Sequence, residues 1–184
     1  MRIDLHTHST ASDGTDSPGE LIRKASDLVD VVAITDHDTT AGWDEAIASQ
    51  PDNLTIVTGT ELSCVYRRAD ARPVNLHLLA YLFDRADPGL RAERARLRES
   101  RYERGRRIVE AMVADGVPIT WQRVGELAAG GAVGRPHIGR ALVEAGVVGS
   151  VTQAFAGPLS HRSKYYVRKE NTDVFSALRL VRGA

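Results

Sequence analysis

The sequence predicts an α/β protein built on a parallel sheet or a (β/α) barrel, and three observations predict it. Strand-like and helix-like stretches alternate through residues 1–90. One of the strand-like stretches, Val29–Thr35, is almost continuously apolar and β-branched, the pattern of a strand covered on both faces. A histidine or carboxylate recurs towards the ends of the strand-like stretches, where parallel βα folds gather their functional groups.

Taken in order, Arg2–His8 reads as a short opening strand. Ser17-Pro18 then supplies an N-cap with proline at the first helical position, and Leu21, Ile22, Ala25 and Leu28 fall on one helical face. Val29–Thr35 is the buried strand and Thr40–Ser49 the second helix; Leu54–Leu62 and Val74–Phe83 read as two further strands. From Pro88 to about Asp115 the pattern is one long helix, closed by Asp115-Gly116. Thr120 caps another helix running to Ala129, Gly130-Gly131 breaks it, and a further helix follows Gly134. No buried strand is predicted here, so the division is residues 1–87 as the first part of a βα domain, 88–170 as a helical insertion, and 171–184 as a return. In that return Thr172 is expected to cap an amphipathic helix carrying Val174, Phe175, Leu178 and Val181, with Gly183 at its C-terminal end.

Composition excludes several classes. The chain has 184 residues, 42% apolar and 26% charged, as in an ordinary globular protein and unlike a disordered or fibrous one. There is no apolar run long enough to span a bilayer and no signal-peptide pattern, so no membrane association is expected. The single cysteine, Cys64, excludes an internal disulfide framework, fits a cytoplasmic location and reads as inert packing. The formal net charge of zero hides an asymmetry: residues 1–90 carry 15 acids against 7 bases, residues 91–184 carry 9 against 17. An acidic half suits metal cations and a basic half an anion such as phosphate, although drift in surface charge gives the same count.

Six residues form the candidate cation site. His6 and His8 lie two apart on the opening strand and so point to one side. Asp13 follows in a Ser-Asp-Gly turn, His37 sits within Asp36-His37-Asp38 after the second strand, Glu61 lies near the end of the third, and His77 lies inside the fourth. Read singly, Asp13 is a turn former and His77 a satisfied core histidine. Read together, burying so many ionisable groups without compensation costs several kcal/mol each, and a coordinated cation removes that cost. Imidazole and carboxylate without thiolate suit Zn²⁺, Mn²⁺ or Fe²⁺.

The stretches DLHTHSTASDG (Asp4–Gly14), AITDHDT (Ala33–Thr39) and TGTELS (Thr58–Ser63) resemble motifs of the polymerase and histidinol phosphatase (PHP) superfamily. HLLAYLFD (His77–Asp84) and GRPHIGRALVEAG (Gly134–Gly146) resemble its branch with a helical insertion, which includes nucleoside 3′,5′-bisphosphate phosphatases and a 5′-to-3′ exoribonuclease. The resemblance implies a distorted seven-stranded (β/α) barrel holding up to three divalent ions (Mn, Fe or Zn). It implies that His6 and His8 hold one ion, that Glu61 bridges it to a second held also by His77, and that Asp13 and His37 hold the third. Arg135 and His137 would grip the phosphate, a role suited to a planar guanidinium; read without the resemblance, Arg135-Pro136-His137 simply starts a helix.

The implied activity is hydrolysis of a phosphate ester, in a nucleotide such as a 3′,5′-bisphosphate or at an RNA 5′ end, by metal-activated hydroxide. The expected partners are a nucleotide or short RNA and phosphate, with no stable protein partner. Complete members of the branch carry a His-Pro motif and a late Asp-x-His motif that have no counterpart here after His161, itself expected to be exposed. Each metal position is therefore expected to lack one ligand, and the 184 residues to be part of a longer protein. The alternative is a non-catalytic fragment that binds a nucleotide or nucleic acid. A histidinol-phosphate phosphatase is a weaker reading, opposed by the GRPH stretch. The arginine-rich segment Arg91–Arg107, with Glu93, Glu99 and Glu103 interleaved, is expected to be a solvated helix face, or less often a guide for RNA.

Overall fold

A computed structural model describes residues 1–184. Its elements are β1 (Ile3–Thr7), α1 (Pro18–Ser26), β2 (Val31–Ile34), α2 (Trp43–Ala48), β3 (Thr55–Tyr66), β4 (Val74–Tyr81), α3 (Pro88–Ala114), α4 (Trp121–Ala128), α5 (Arg135–Glu144), α6 (Val151–Ala156), β5 (Thr172–Asp173) and α7 (Val174–Gly183). They divide into two compact units, Met1–Arg98 with Asn171–Ala184, and Glu99–Glu170.

In the first unit the predicted capping at Ser17 is present as a reciprocal pair. The Ser17 hydroxyl accepts from the Glu20 amide at 3.2 Å, and the Glu20 carboxylate accepts from the Ser17 amide at 2.9 Å. β1, β2 and β3 are parallel, with Ile3 opposite Val31 and Ile34 opposite Thr58. β4 then departs from the parallel expectation. It runs antiparallel to β3, from Gly59 opposite Tyr81 to Tyr66 opposite Val74. The physical reason is the connection: residues 67–73 are too few for the dozen or more that a parallel crossover requires. β5 adds to β3 in parallel through Cys64 and Thr172. The five strands hydrogen-bond as one open sheet, and no barrel closure occurs among their pairings.

Several boundaries differ from expectation. α2 starts at Trp43 rather than Thr40, because the Thr39 hydroxyl accepts from the Ala41 amide at 3.1 Å and holds a turn first. β3 continues to Tyr66, past the expected end at Leu62. α7 is capped by Asp173, whose carboxylate accepts from the amides of Phe175 and Ser176, while Thr172 joins the sheet. α6 was not anticipated; Ser150 caps it by accepting from the Gln153 amide at 3.1 Å. The arginine-rich helix is not simply a solvated face: Arg94 is 3% exposed and Arg101 6%. His161 is exposed and Cys64 fully buried, as expected.

The core of the first unit gathers Ile22, Val32, Ile34, Trp43, Leu62, Phe83, Leu90 and Leu97. Trp43 joins α2 to the sheet, its indole N–H donating to the Gly59 carbonyl at 2.9 Å and its ring lying 5.2 Å from that of Phe83. The second unit has its own core of Ile108, Met112, Val124, Ile138, Leu142 and Leu159. There α3 stops where Gly116 takes a φ of 80°, and Thr120 caps α4 by accepting from the Arg123 amide. No helix is long and apolar enough to cross a membrane.

Because Trp43 contributes both packing and a hydrogen bond within a closed core, Trp43→Ala is expected to destabilise the protein by about 3–5 kcal/mol. Urea denaturation followed by circular dichroism measures this.

Candidate metal centre

The centre begins at the end of β1. His6 and His8, two residues apart, bring their Nε2 atoms to 3.1 Å from each other. The following turn folds back on the strand: the amides of Ser12 and Gly14 both donate to the Ser9 carbonyl. At Gly14 the backbones come so close that a Cβ would lie 2.2 Å from the His8 carbonyl oxygen, so only glycine fits. The turn thereby carries Asp13 to 3.6 Å from His8 Nδ1 and 3.6 Å from His37 Nε2.

The loop after β2 is the second contributor. Asp36 is 2% exposed and accepts from the Ser9 amide (2.8 Å), the Ser9 hydroxyl (2.7 Å) and the Ser12 hydroxyl (2.6 Å), which pins the β1 turn. Asp38 sits at φ 57°, in the left-handed region. Its carboxylate accepts from the Ser63 amide and hydroxyl at 2.8 and 2.9 Å, its carbonyl accepts from Arg98 at 2.8 Å, and its amide donates to the Glu61 carbonyl at 3.1 Å. Held on both sides, His37 lies in a bridge opposite Glu61.

Glu61, 3% exposed, is the common partner. Its Oε2 lies 2.8 Å from His6 Nε2, 2.8 Å from His8 Nε2 and 3.5 Å from His37 Nδ1, while Oε1 contacts His77 Nδ1. His77 reaches it diagonally across the antiparallel ladder, from the position opposite Ser63. Burial pushes the Glu61 pKa up, but the hydrogen bonds to His77, His8 and His6 and the charge of His37 outweigh it and hold the carboxyl far below the ordinary range. At His8 burial acts downwards, yet the bond to Glu61 and the charges of Asp13, Glu61 and Asp36 raise its pKa above 6.5.

All six predicted ligands thus come together, in three overlapping triads: His6, His8 and Glu61; His8, Asp13 and His37; and His37, Glu61 and His77. Within each triad the donor atoms lie inside 4.8 Å of one another. Imidazole nitrogens and carboxylate oxygens crowded this closely need protons or cations between them. Nitrogen and oxygen donors without sulfur suit Zn²⁺, Mn²⁺ or Fe²⁺. The residues therefore fit divalent ions.

A family model of the PHP domain matches residues 4–116, a span that takes in all three triads. The chain belongs to the PHP domain family. It is 36% identical over 168 residues to the 5′-3′ exoribonuclease Rnm of Salmonella typhimurium, covering 89% of this chain and 56% of that protein. It is 30% identical over 190 residues to the 3′,5′-nucleoside bisphosphate phosphatase of Chromobacterium violaceum, covering 99% of this chain and 63% of that protein. A crystal structure from Bifidobacterium adolescentis, assigned as a metal-dependent phosphoesterase, superposes with a TM-score of 0.91 at 37% identity, covering 99% of this chain and 63% of that one. The chain therefore spans about 56 to 63% of the length of these PHP relatives.

Arg135 and His137 lie in the helical unit, in the first turn of α5. The Arg135 guanidinium donates to the Leu159 carbonyl at 3.1 Å and lies 5.1 Å over the Phe155 ring; burial, then the charge of Arg101, lowers its pKa, against the pull of Tyr166. His137, 1% exposed, accepts the Gly134 amide hydrogen through Nδ1 at 2.9 Å, as a glutamate does in a capping box. Sequence reasoning noted Asp36 and Asp38 as ionisable but gave neither a role, and it passed over Ser9, Ser12 and Ser63. The available signal was the run of hydroxyl residues beside each acidic motif.

Metal binding to the PHP site needs neutral imidazoles. With the His8 pKa above 6.5, loading with Zn²⁺ at about pH 7 is expected to release protons. Calorimetry in buffers of different ionisation enthalpy reads this as a buffer-dependent heat; equal heats in all buffers would contradict it. Asp36→Ala leaves the buried donors of Ser9 and Ser12 unpaired and is expected to destabilise the PHP unit by about 3 kcal/mol, read by urea denaturation.

Proposed function

We propose that this PHP chain is the metal-dependent core of a phosphoesterase that cleaves a phosphate ester of a nucleotide or of an RNA 5′ end. The observation that carries the reading is the closed set of three triads sharing His8, His37 and Glu61. The substrate class is supported by the names of its relatives, a 5′-3′ exoribonuclease and a 3′,5′-nucleoside bisphosphate phosphatase. The seven-stranded barrel implied by the family motifs is part of the same proposal.

In this reading His6, His8, Asp13, His37, Glu61 and His77 hold up to three ions of Mn, Fe or Zn. When bound, such ions supply a hydroxide at neutral pH and neutralise phosphoryl oxygens. The protein's own contribution is orientation. Glu61, whose carboxyl its imidazole partners hold well below the ordinary range, would contribute to two of the three triads. Asp36 fixes the turn that carries Asp13, and Asp38 fixes the backbone on which His37 rides. Both act as positioning residues. Arg135, with five donors in a rigid fork, and His137 are the proposed phosphate-binding groups.

The test is hydrolysis of a nucleoside 3′,5′-bisphosphate and of a 5′-phosphorylated oligoribonucleotide by the Mn²⁺-loaded protein, together with metal content by mass spectrometry. Changing a residue that only orients metal-binding groups costs about 10–100-fold, so Glu61→Gln is expected to reduce turnover by at least about 100-fold and to lower metal content. Arg135→Ala is expected to raise KM with metal content unchanged. Absence of both phosphate release from the bisphosphate and nucleotide release from the oligoribonucleotide, with nucleotide binding insensitive to chelation, would favour a non-catalytic binding protein instead.

A further inference from the structure

A cavity of about 410 Å³ opens beside the start of α3, lined by Thr39, Thr40, Arg85, Arg91, Arg94 and Arg98 among others. All of these residues belong to the first unit. None of them is among the six residues of the triads.

Arg94 is its unusual member. It is 3% exposed, its Nη2 donates to the Arg85 carbonyl at 2.8 Å, and its guanidinium lies 5.4 Å over the Phe83 ring. Its Nε and Nη1 are buried and have no hydrogen-bond partner. Leaving two donors of a buried cation unmet costs several kcal/mol. The nearby carboxylates are already paired: Asp44, which lines the same cavity, with Arg85 at 2.6 Å, Glu93 with Arg96 at 2.7 Å, and Asp87 with the Leu90 amide at 2.7 Å, so Asp44 offsets one of the four lining arginines. Burial, followed by the charges of Arg98 and Arg91, lowers the Arg94 pKa, and Asp87 opposes only in part. Positive charge is thus concentrated on the cavity and under-compensated by the protein. An anion rich in acceptor oxygens would balance this charge. Thr39 and Thr40, also in the lining, add hydroxyl groups.

We propose that this cavity binds a phosphate group, apart from the metal centre, presented either as a free or terminal phosphate or as a backbone phosphodiester. That its source is a nucleotide or RNA rests on the phosphoesterase reading; the anion site itself does not. The cavity is wider than one phosphate needs, which leaves room for the adjoining sugar. Arg98 also donates to the carbonyl of Asp38, next to His37, so the cavity and the metal centre share the loop of residues 36–40.

The test is calorimetric titration of the chelator-treated full chain with inorganic phosphate and, separately, with a short 5′-hydroxyl oligoribonucleotide. At least one is expected to bind. Arg91→Glu, at an exposed position, and Arg94→Met are each expected to weaken that binding by at least about tenfold, as loss of a charge-assisted contact does. Arg107→Glu, the same charge change at an exposed position outside the cavity, is expected to leave it within about twofold. Circular dichroism checks the fold of Arg94→Met, and Arg91→Glu carries the test if that variant does not fold. Binding of phosphate alone supports a free or terminal phosphate as ligand, and binding of the oligonucleotide alone supports a phosphodiester. Binding of neither, an unchanged affinity in Arg91→Glu, or an equal loss of affinity in Arg107→Glu overturns the proposal. Absence of hydrolysis by the metal-loaded protein would overturn the phosphoesterase reading and leave this titration unaffected.

Discussion

One buried carboxylate organises the first unit. Glu61 sits in the middle of β3, 3% exposed, with imidazoles of His6, His8, His37 and His77 around it. A carboxylate there is tolerable only because four partners converge on it. Each partner depends on a separate element: β1 for His6 and His8, the β2 loop for His37, and the antiparallel return of β4 for His77. The strand pairings are therefore also the pairings that keep Glu61 ionised. A one-residue slip of β4 would turn His77 to the opposite face and break the set.

The loops that complete the set are held by acidic residues that do not themselves belong to the triads. Asp36 collects three donors from the β1 turn, and Asp38 collects two from Ser63 while its backbone takes a strained φ. Strain of this kind persists only where surrounding bonds over-determine it, and here the amide, carbonyl and carboxylate of Asp38 are all engaged. The result is a set of imidazoles and carboxylates fixed in place by the protein's own hydrogen bonds. Preorganisation is bought with local strain, and the apolar packing around Trp43, Ile34 and Leu62 offsets it.

The convergence of the six triad residues was legible in the sequence largely because the pattern is local: His-x-His needs only strand alternation, and Asp36-His37-Asp38 directly follows a run of β-branched residues. The alternation of β1, α1, β2 and α2 was legible for the same reason. What escaped was non-local or cancelled in the pattern. The antiparallel sense of β4 follows from the short connection at residues 67–73, a length the sequence displays, yet the apolar run of β4 reads the same in either direction. α6 is a single short helix whose six residues give too few repeats for periodicity to register. The arginines of α3 escaped most completely. Exposed Arg96 and Arg106 pair with Glu93, Glu103 and Glu110 one turn away, as a solvated face should, while Arg94 turns inward among them. A hydropathy pattern scores both kinds as polar and cannot separate them.

That inward arginine changes how the charge asymmetry of the chain is understood. The acidic excess of residues 1–90 is not spread evenly over a surface, since Asp13, Asp36, Asp38 and Glu61 are gathered into one interior region. The basic excess after residue 90 begins with Arg91, Arg94 and Arg98, which border a cavity in the same unit. The two regions have opposite deficits. One crowds lone pairs that require positive charge, and the other crowds N–H donors that require negative charge. Residues 36–40 belong to both, through His37 on one side and Asp38, Thr39 and Thr40 on the other. A protein selected only for stability would neutralise both by pairing them with each other. Here the loop of residues 36–40 stands between them, so the crowded lone pairs and the crowded N–H donors face two different places in one unit.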